Sequence, residues 1–438
     1  MMEIHKTQQA ASNASRKLIS IGLMAMMLYA APAGAASQPV FSFNGFGTAG
    51  VIRSNERNAD FIGSVTQPNG AGFTRPWSAD VDSKLGLQMS ANFAGPLSAV
   101  VQVVAEHRYD NSYRPTIEWA NLKYQVFPDL DVRLGRTADT LYLQSDLRQV
   151  GYAYPWVRRP REIYGLLPVN NKDGIDATYR HDFGRVTNSM QASYGETSFK
   201  LSREREVKEK RIFTVADTVE YGASTVRIAY TSLRMTLHTP GLDAFLANFE
   251  QFGNTLSVTP GLESNGAQAL ALFRQYRFSD SPYSVVTVGA SHDTGTWLLM
   301  AEWARTPTSP AIFPRSTAWY IAGGYRIGKF TPYLTLAKLR ADKPPVEPGI
   351  STAGLPPPFA AGAVFRNDSL RSVIDGFRFA QKTLSAGMRW DFMKDADLKL
   401  QYDRLTIGPG STGLLGNAQP NFRPGKINLI SATVDFIF

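Results

Sequence analysis

The densest gathering of side chains with chemistry to offer lies between Thr137 and Asn171. Arg148, Arg158, Arg159 and Arg161 stand there with Asp146 and Glu162, interleaved with Tyr142, Tyr152, Tyr154, Trp156 and Tyr164. Guanidiniums are permanently charged forks that hold anions, while phenols and indoles give flat packing surfaces with one polar end. Such a set steers or binds ions and need not move protons. Acid–base and metal chemistry are thinly represented elsewhere. His107, His181, His238 and His292 are scattered, without an H-E-x-x-H or other clustered ligand spacing. The absence of cysteine removes thiolate metal sites, disulfides and cysteine nucleophiles. We therefore expect no catalytic residue, no metal and no cofactor.

The elements that must position these side chains read as strands. Ala99, Val101, Val103 and Ala105 alternate with Ser98, Gln102, Glu106 and Arg108. Trp297, Leu299, Ala301 and Trp303 stand against Thr296 and Glu302, and Leu384, Ala386, Met388, Trp390 and Phe392 against Thr383, Ser385, Arg389 and Asp391. Period-two alternation places two unlike environments on either side of a sheet. The opposite faces carry full charges, which a sandwich core would not tolerate. A barrel with lipid outside and water inside accepts them, and the aromatic residues at segment ends suit its interfacial girdles.

Sixteen candidate strands follow, near 40–53, 80–94, 97–109, 116–126, 130–137, 172–182, 186–196, 213–222, 225–238, 283–293, 296–306, 316–327, 330–340, 379–392, 397–407 and 427–438. Tight turns at 93–96, 127–129, 182–185, 294–295, 328–329 and 394–396 alternate with long segments at 54–79, 138–171, 197–212, 239–282, 341–378 and 408–426. That sidedness belongs to outer-membrane barrels. The fold class expected is all-β, a transmembrane antiparallel β-barrel of about sixteen strands. Glu106, Arg133, Arg180, Arg227, Glu302, Arg326 and Arg389 then face the pore as its wall, since a basic residue facing mid-depth lipid costs ~2–4 kcal/mol. Arg203 to Arg211 reads as a solvated outer loop, with pairing to lipopolysaccharide phosphates as its functional alternative. Leu242, Phe245, Leu246 and Phe249 have the spacing of a small packing helix, and 344–358 is a Pro-rich loop.

The N-terminus carries an export signal. Lys6, Arg16 and Lys17 precede an apolar run from Leu18 to Ala31 and small residues through Ala36, so cleavage is expected after Ala35 or Ala36. Residues 1–36 would be the cleaved peptide and 37–438 a single barrel domain. The formal charge of +9 falls to about +7 on its removal. No other stretch is long and apolar enough for a helical span, which excludes a polytopic helical membrane protein. An exported chain without one dense basic patch is not expected to bind nucleic acid.

Ile430, Ala432, Val434, Phe436 and Phe438 alternate to the last residue, Phe41 to Gly47 reads Phe-Ser-Phe-Asn-Gly-Phe-Gly, and Val132 to Arg136 leads into the long third loop. In these features the chain resembles the Gram-negative trimeric porins of the outer membrane. The resemblance implies a homotrimer in contact with outer-membrane lipid and lipopolysaccharide. It implies that the barrel-assembly machinery reads the Phe436 and Phe438 terminus. It also implies a third loop folded into the lumen, which makes Tyr142, Asp146, Arg148, Tyr152, Arg158, Arg159, Arg161 and Glu162 the candidate constriction residues. The acidic Pro-Glu-Phe-Gly-Gly-type loop motif of the general porins is missing, so their cation-selective constriction does not carry over. Passive diffusion of small hydrophilic solutes with mild anion preference is the expected function. A channel selective for organic acids or oligosaccharides is the first alternative, and a barrel enzyme the second.

Overall fold

The computed structural model describes residues 39–342 and 347–438; the expected signal peptide lies outside them. The body described below comprises Phe41–Asn92 and Pro96–Phe438. Sixteen strands form one closed antiparallel sheet in which each pairs with its sequence neighbours. They are β1 (Val40–Ser54), β2 (Lys84–Asn92), β3 (Leu97–Glu106), β4 (Thr116–Phe127), β5 (Leu130–Ala138), β6 (Asn171–Phe183), β7 (Val186–Lys200) and β8 (Glu206–Tyr221). β9 (Ser224–His238), β10 (Ser281–Asp293), β11 (Trp297–Thr308), β12 (Ser316–Tyr325), β13 (Phe330–Ala341), β14 (Ala380–Met393), β15 (Ala396–Ile407) and β16 (Lys426–Ile437) complete the circuit. The sheet closes through β1 and β16, in register from Phe46 opposite Ile437 to Ser54 opposite Leu429. Closure satisfies every strand edge, which is what a sheet in hydrocarbon requires.

The alternation in the sequence maps onto the two faces. In β11, Trp297, Leu299 and Trp303 are exposed while Leu298, Met300, Glu302 and Ala304 are buried. Leu384, Met388 and Trp390 of β14 and Leu400 and Tyr402 of β15 are likewise exposed, and Lys399, Gln401 and Asp403 between them are buried. Apolar side chains exposed at every second position around a closed sheet form a lipid-facing belt, and the charges line the inside. All sixteen expected strands are present. The division at 222–224 holds because Gly222, at φ +56°, turns the chain between β8 and β9.

Two expectations need correction. The charged run Arg203–Arg211 is not one solvated loop. Only 201–205 joins β7 to β8, and β8 begins at Glu206, with Val207 and Glu209 fully buried on one face. A register shift between Lys210 and Phe213, with Arg211 at φ 52°, hides this alternation from a strict period-two count. The second correction concerns 341–378, which is not only loop. It holds α4 (Pro357–Gly376), whose Pro residues sit at the start, where a missing N–H is harmless. The expected packing helix at 239–272 is a pair, α2 (Pro240–Ser257) and α3 (Glu263–Tyr276), with Thr239 capping α2 by accepting from the Leu242 N–H. These three helices share a core of Phe249, Leu256, Ala269, Leu370 and Ile374 with Val207 and Leu237 from the strand ends. No described helix is long and apolar enough to cross a membrane. At the other end of the barrel, Phe438 exchanges backbone hydrogen bonds with Gly45 at 2.7 and 3.0 Å. Its ring covers Gly45 so closely that a Cβ there would lie 2.2 Å from it, and Phe436 covers Gly47 in the same way.

Candidate functional site: the 139–170 segment and the charged inner wall

The connection 139–170 between β5 and β6 carries a short helix, α1 (Arg161–Tyr164), entered from Pro160 and left at Gly165. Tyr142, Ile163, Tyr164 and Leu167 pack in one apolar cluster with Leu298, Met300, Tyr320 and Tyr333 of the wall. Polar contacts fix the same segment to many strands. Glu302 accepts from the Leu143 N–H at 2.8 Å and the Tyr164 hydroxyl at 2.9 Å. Thr287 donates to the Leu141 carbonyl at 2.7 Å, and Arg227 donates to that of Thr140. Lys399 Nζ donates to the Gly151 carbonyl at 2.7 Å, and Arg389 to the Tyr152 and Tyr154 carbonyls at 2.6 and 3.0 Å. Glu162 accepts from Gln381 at 2.8 Å and from the Thr383 hydroxyl. Burial holds the Glu162 carboxyl above its ordinary range, against the opposing pull of those donors.

The three neighbouring arginines have different surroundings. Arg158 donates to both oxygens of Asp82, at 2.7 and 3.0 Å, to Asp403 at 2.9 Å and to the Ser431 hydroxyl at 2.8 Å. Burial would lower its pKa, but Asp82 and Asp403 keep it above the ordinary guanidinium value. Arg159 lies over the rings of Tyr154 and Tyr164, at 5.6 and 4.9 Å. Arg161 lies 5.4 Å from the Phe61 ring centroid, and its Nη1 has no hydrogen-bond partner among the described residues. Burial pushes Arg161 down to about 10, which leaves it charged at neutral pH. Arg148 donates to the carbonyls of Val169 and Tyr164. Among the described residues, Arg148, Arg159 and Arg161 make no ion pair, whereas Arg158 makes two.

These groups border a polar gap of about 140 Å³ between the segment, Thr48 in the middle of β1, residues 63–67 and 81–83, the start of β2 and the end of β3. Its charged lining is Lys84, Arg148, Arg158, Arg159 and Arg161 against Asp82 and Glu106. Asp82 and Lys84 escaped the sequence reading because they sit at a loop–strand boundary, where strand phase is least defined. Of the expected constriction residues, Tyr142 and Asp146 do not border this gap. Tyr142 is buried, with its hydroxyl accepting from the Leu167 N–H at 2.9 Å, and Asp146 is exposed. Tyr152 and Glu162 line other cavities. Tyr152 borders a space of about 450 Å³ with Arg326, Arg389, Asp293 and Asp391, and Glu162 a smaller one beside Gln381 and Thr383.

Of the expected wall residues, only Glu106 borders the gap. The other basic ones are mostly engaged locally. Arg133 pairs with Asp176 at 3.4 Å, Arg180 with Glu220 at 3.2 Å near the short turns, Arg326 with Asp293, and Arg389 with Asp391 and Asp397. These local pairs tie neighbouring strands together, and paired charges cancel at a distance. Among the described residues no cluster of His, Asp and Glu has the arrangement of a metal site.

No curated protein matches the chain in sequence. Solved structures match its fold. The anion-selective porin from Comamonas acidovorans aligns with 12% identity and a TM-score of 0.52, over 92% of this chain and 100% of that one. OmpT of Vibrio cholerae in its trimer form aligns with 12% identity and a TM-score of 0.51 over 92% and 100%. The outer-membrane channel DcaP of Acinetobacter baumannii aligns with 12% identity and a TM-score of 0.51 over 93% and 100%. The model of the Gram-negative porin family matches residues 22–344. With a closed sixteen-strand sheet, a lipid-facing apolar belt and a charged interior already in place, the chain belongs to the Gram-negative porin family and is a diffusion channel of the outer membrane.

Proposed function

We propose that the 139–170 segment lies in the lumen as its constriction, and that small hydrophilic solutes pass it through the gap bordered by Arg148, Arg159 and Arg161, with anions preferred. The observation that carries this is the charge census of the gap, five basic side chains against two acidic ones. Arg158 is balanced by Asp82 and Asp403, so the surplus comes from groups without a carboxylate partner. In a narrow aqueous throat with low-dielectric walls, unbalanced charge concentrates counter-ions and excludes co-ions. The many hydrogen bonds between the segment and the inner wall support a constriction that stays in place. No step in this function makes or breaks a covalent bond, and we assign no enzymatic role.

The functional unit we propose is a homotrimer, exported with the loss of residues 1–36 and inserted by the barrel-assembly machinery through the Phe436 and Phe438 terminus. The fold shared with OmpT in its trimer form supports that assembly. The test is a reversal potential across a planar bilayer under a salt gradient. Anion preference in dilute salt that fades in concentrated salt is the expected result. A clear cation preference in dilute salt would remove the arginines from the mechanism.

A further inference from the structure

The outward face of β13 to β16 changes character toward its long-loop end. Along the lipid belt its exposed side chains are apolar, Leu334, Leu384, Tyr402 and Ile430 among them. Nearer the long loops the same faces present Lys338 and Arg340 on β13, Lys382 on β14, Arg404 on β15 and Lys426 on β16, all exposed. The register sets them side by side. Lys338 lies directly opposite Lys382. Thr406 lies opposite both Lys382 and Lys426, and Arg404, two residues nearer the belt, lies opposite Leu384. With strands ~4.8 Å apart, Lys338, Lys382 and Lys426 form one row about 15 Å long. Among the described residues none of the five basic side chains makes an ion pair, whereas Arg305 on β11 pairs with Asp342 at 3.0 Å. The outward charges at the same end of β8 and β9 are mixed, with Lys208 beside Glu206 and Arg234 beside Asp280.

Like charges directly opposite each other in a ladder destabilise it, and a basic side chain beside hydrocarbon loses solvation. An anion lying against the row removes both penalties. A neighbouring copy of the chain would bury the row, and buried charges need partners. A water-borne anion would neutralise the charges but use none of the apolar surface that begins beside them. An amphiphile uses both, with its anionic head across the row and its chains along Leu334, Leu384 and Ile430. Five positive charges exceed what one monoanionic head neutralises, so the head carries more than one phosphate. The long loops mark the external face of an outer-membrane barrel, and the multiply phosphorylated amphiphile of that leaflet is lipopolysaccharide. We propose that the rim of β13 to β16 is a binding site for the phosphates of lipopolysaccharide, in which Lys338 and Lys382 share one phosphate. The site lies outside the barrel and does not depend on the reading of the lumen.

The test is thermal unfolding of the detergent-folded full chain titrated with lipopolysaccharide, with the same lipid after enzymatic removal of its phosphates, and with cardiolipin. The unfolding temperature should rise with lipopolysaccharide, because a ligand that binds only the folded state stabilises it. A Lys or Arg near an anionic lipid surface is worth about fivefold in affinity, so Lys338→Gln with Lys382→Gln should need about thirtyfold more lipopolysaccharide for the same rise. Lys208→Gln with Lys210→Gln, in the mixed sector, should need no more than the unmodified chain. Without lipid the Lys338 and Lys382 double variant should unfold no lower than the unmodified chain, since it relieves a like-charge contact. Should it not fold, Lys426→Gln alone should need about fivefold more. An equal rise with the dephosphorylated lipid, a larger one with cardiolipin, or unchanged binding by the Lys338 and Lys382 variant would overturn the proposal. A lipid-free trimer that loses its assembly in that variant would give the row to a neighbouring copy and overturn it equally. Bilayer conductance in potassium chloride, measured separately, reports on the channel reading alone.

Discussion

Replacing Arg159 with Gln removes one unpaired charge from the gap we propose as the throat and leaves the Arg158 ion pairs untouched. Arg159 is held by two tyrosine rings and by a hydrogen bond to the Tyr154 hydroxyl at 3.4 Å, with no carboxylate to be orphaned by its loss. The gap carries a net charge of +3, from five basic and two acidic side chains. A unit charge about 7 Å from a passing ion in water contributes about 0.6 kcal/mol, reduced to about 0.3 kcal/mol by screening in 0.1 M salt. That raises the anion and lowers the cation concentration enough for roughly a threefold change in their ratio per net charge. Three net charges give an anion-to-cation ratio of about twenty in 0.1 M salt, falling to about two in 1 M salt as the Debye length shortens to ~3 Å. Arg159→Gln should therefore lower the ratio in 0.1 M salt about threefold and leave it nearly unchanged in 1 M. Reversal potentials of single channels at the two salt levels read both numbers. An unchanged ratio in dilute salt, or a change of equal size in both, would refute the assignment of Arg159 to a screened electrostatic throat.

Arg158→Ala should act differently from its neighbour. It breaks a buried pair whose loss costs about 3–5 kcal/mol, so the unfolding temperature should fall and single-channel records should become noisier as the segment loosens. Glu162 supplies a pH test. Its carboxyl is raised by burial, so its stabilising contribution is complete below the ordinary carboxyl range and is lost as pH rises through the raised value. Unfolding temperature should decline over that interval in the native chain, and Glu162→Gln should flatten the decline. Gly45→Val and deletion of Phe438 should both impair insertion, because a side chain at residue 45 meets the Phe438 ring. The fraction showing heat-modifiable gel mobility measures it, and normal assembly of both variants would remove the terminal ring from the insertion step.

The barrel was legible because lipid outside and water inside impose one rule on the strands, and β11 from Trp297 to Trp303 and β14 from Leu384 to Trp390 obey it along their apolar faces. β8 was misread where a bulge breaks the rule and charged residues fill its outer end. The helix α4 was hidden behind prolines that mark loops in most contexts and here only start a helix. Within the candidate site, sequence identified the arginine cluster but could not rank its members. Arg158 and Arg159 are adjacent and chemically identical, and only the third dimension gives Asp82 and Asp403 to the first and tyrosine rings to the second. The same holds for Glu209, which sits among alternating charges in sequence and is wholly buried in space. Pairing across a barrel depends on residues hundreds of positions apart, and no local pattern records it.

The register that joins β1 to β16 has a consequence for the order of events in biogenesis. Phe46 lies opposite Ile437, so one edge of the first strand made waits for nearly the entire polypeptide before its partner exists. Contacts of such high sequence separation are the slowest to form, and an unpaired strand edge is a template for wrong pairings while it waits. Hairpin-by-hairpin growth from β2 onward can proceed quickly, because each step is local. Completion is then a single late zippering, in which Phe438 settling over Gly45 sets the frame. The time between the first hairpin and that last event is the period in which this chain most needs a chaperone.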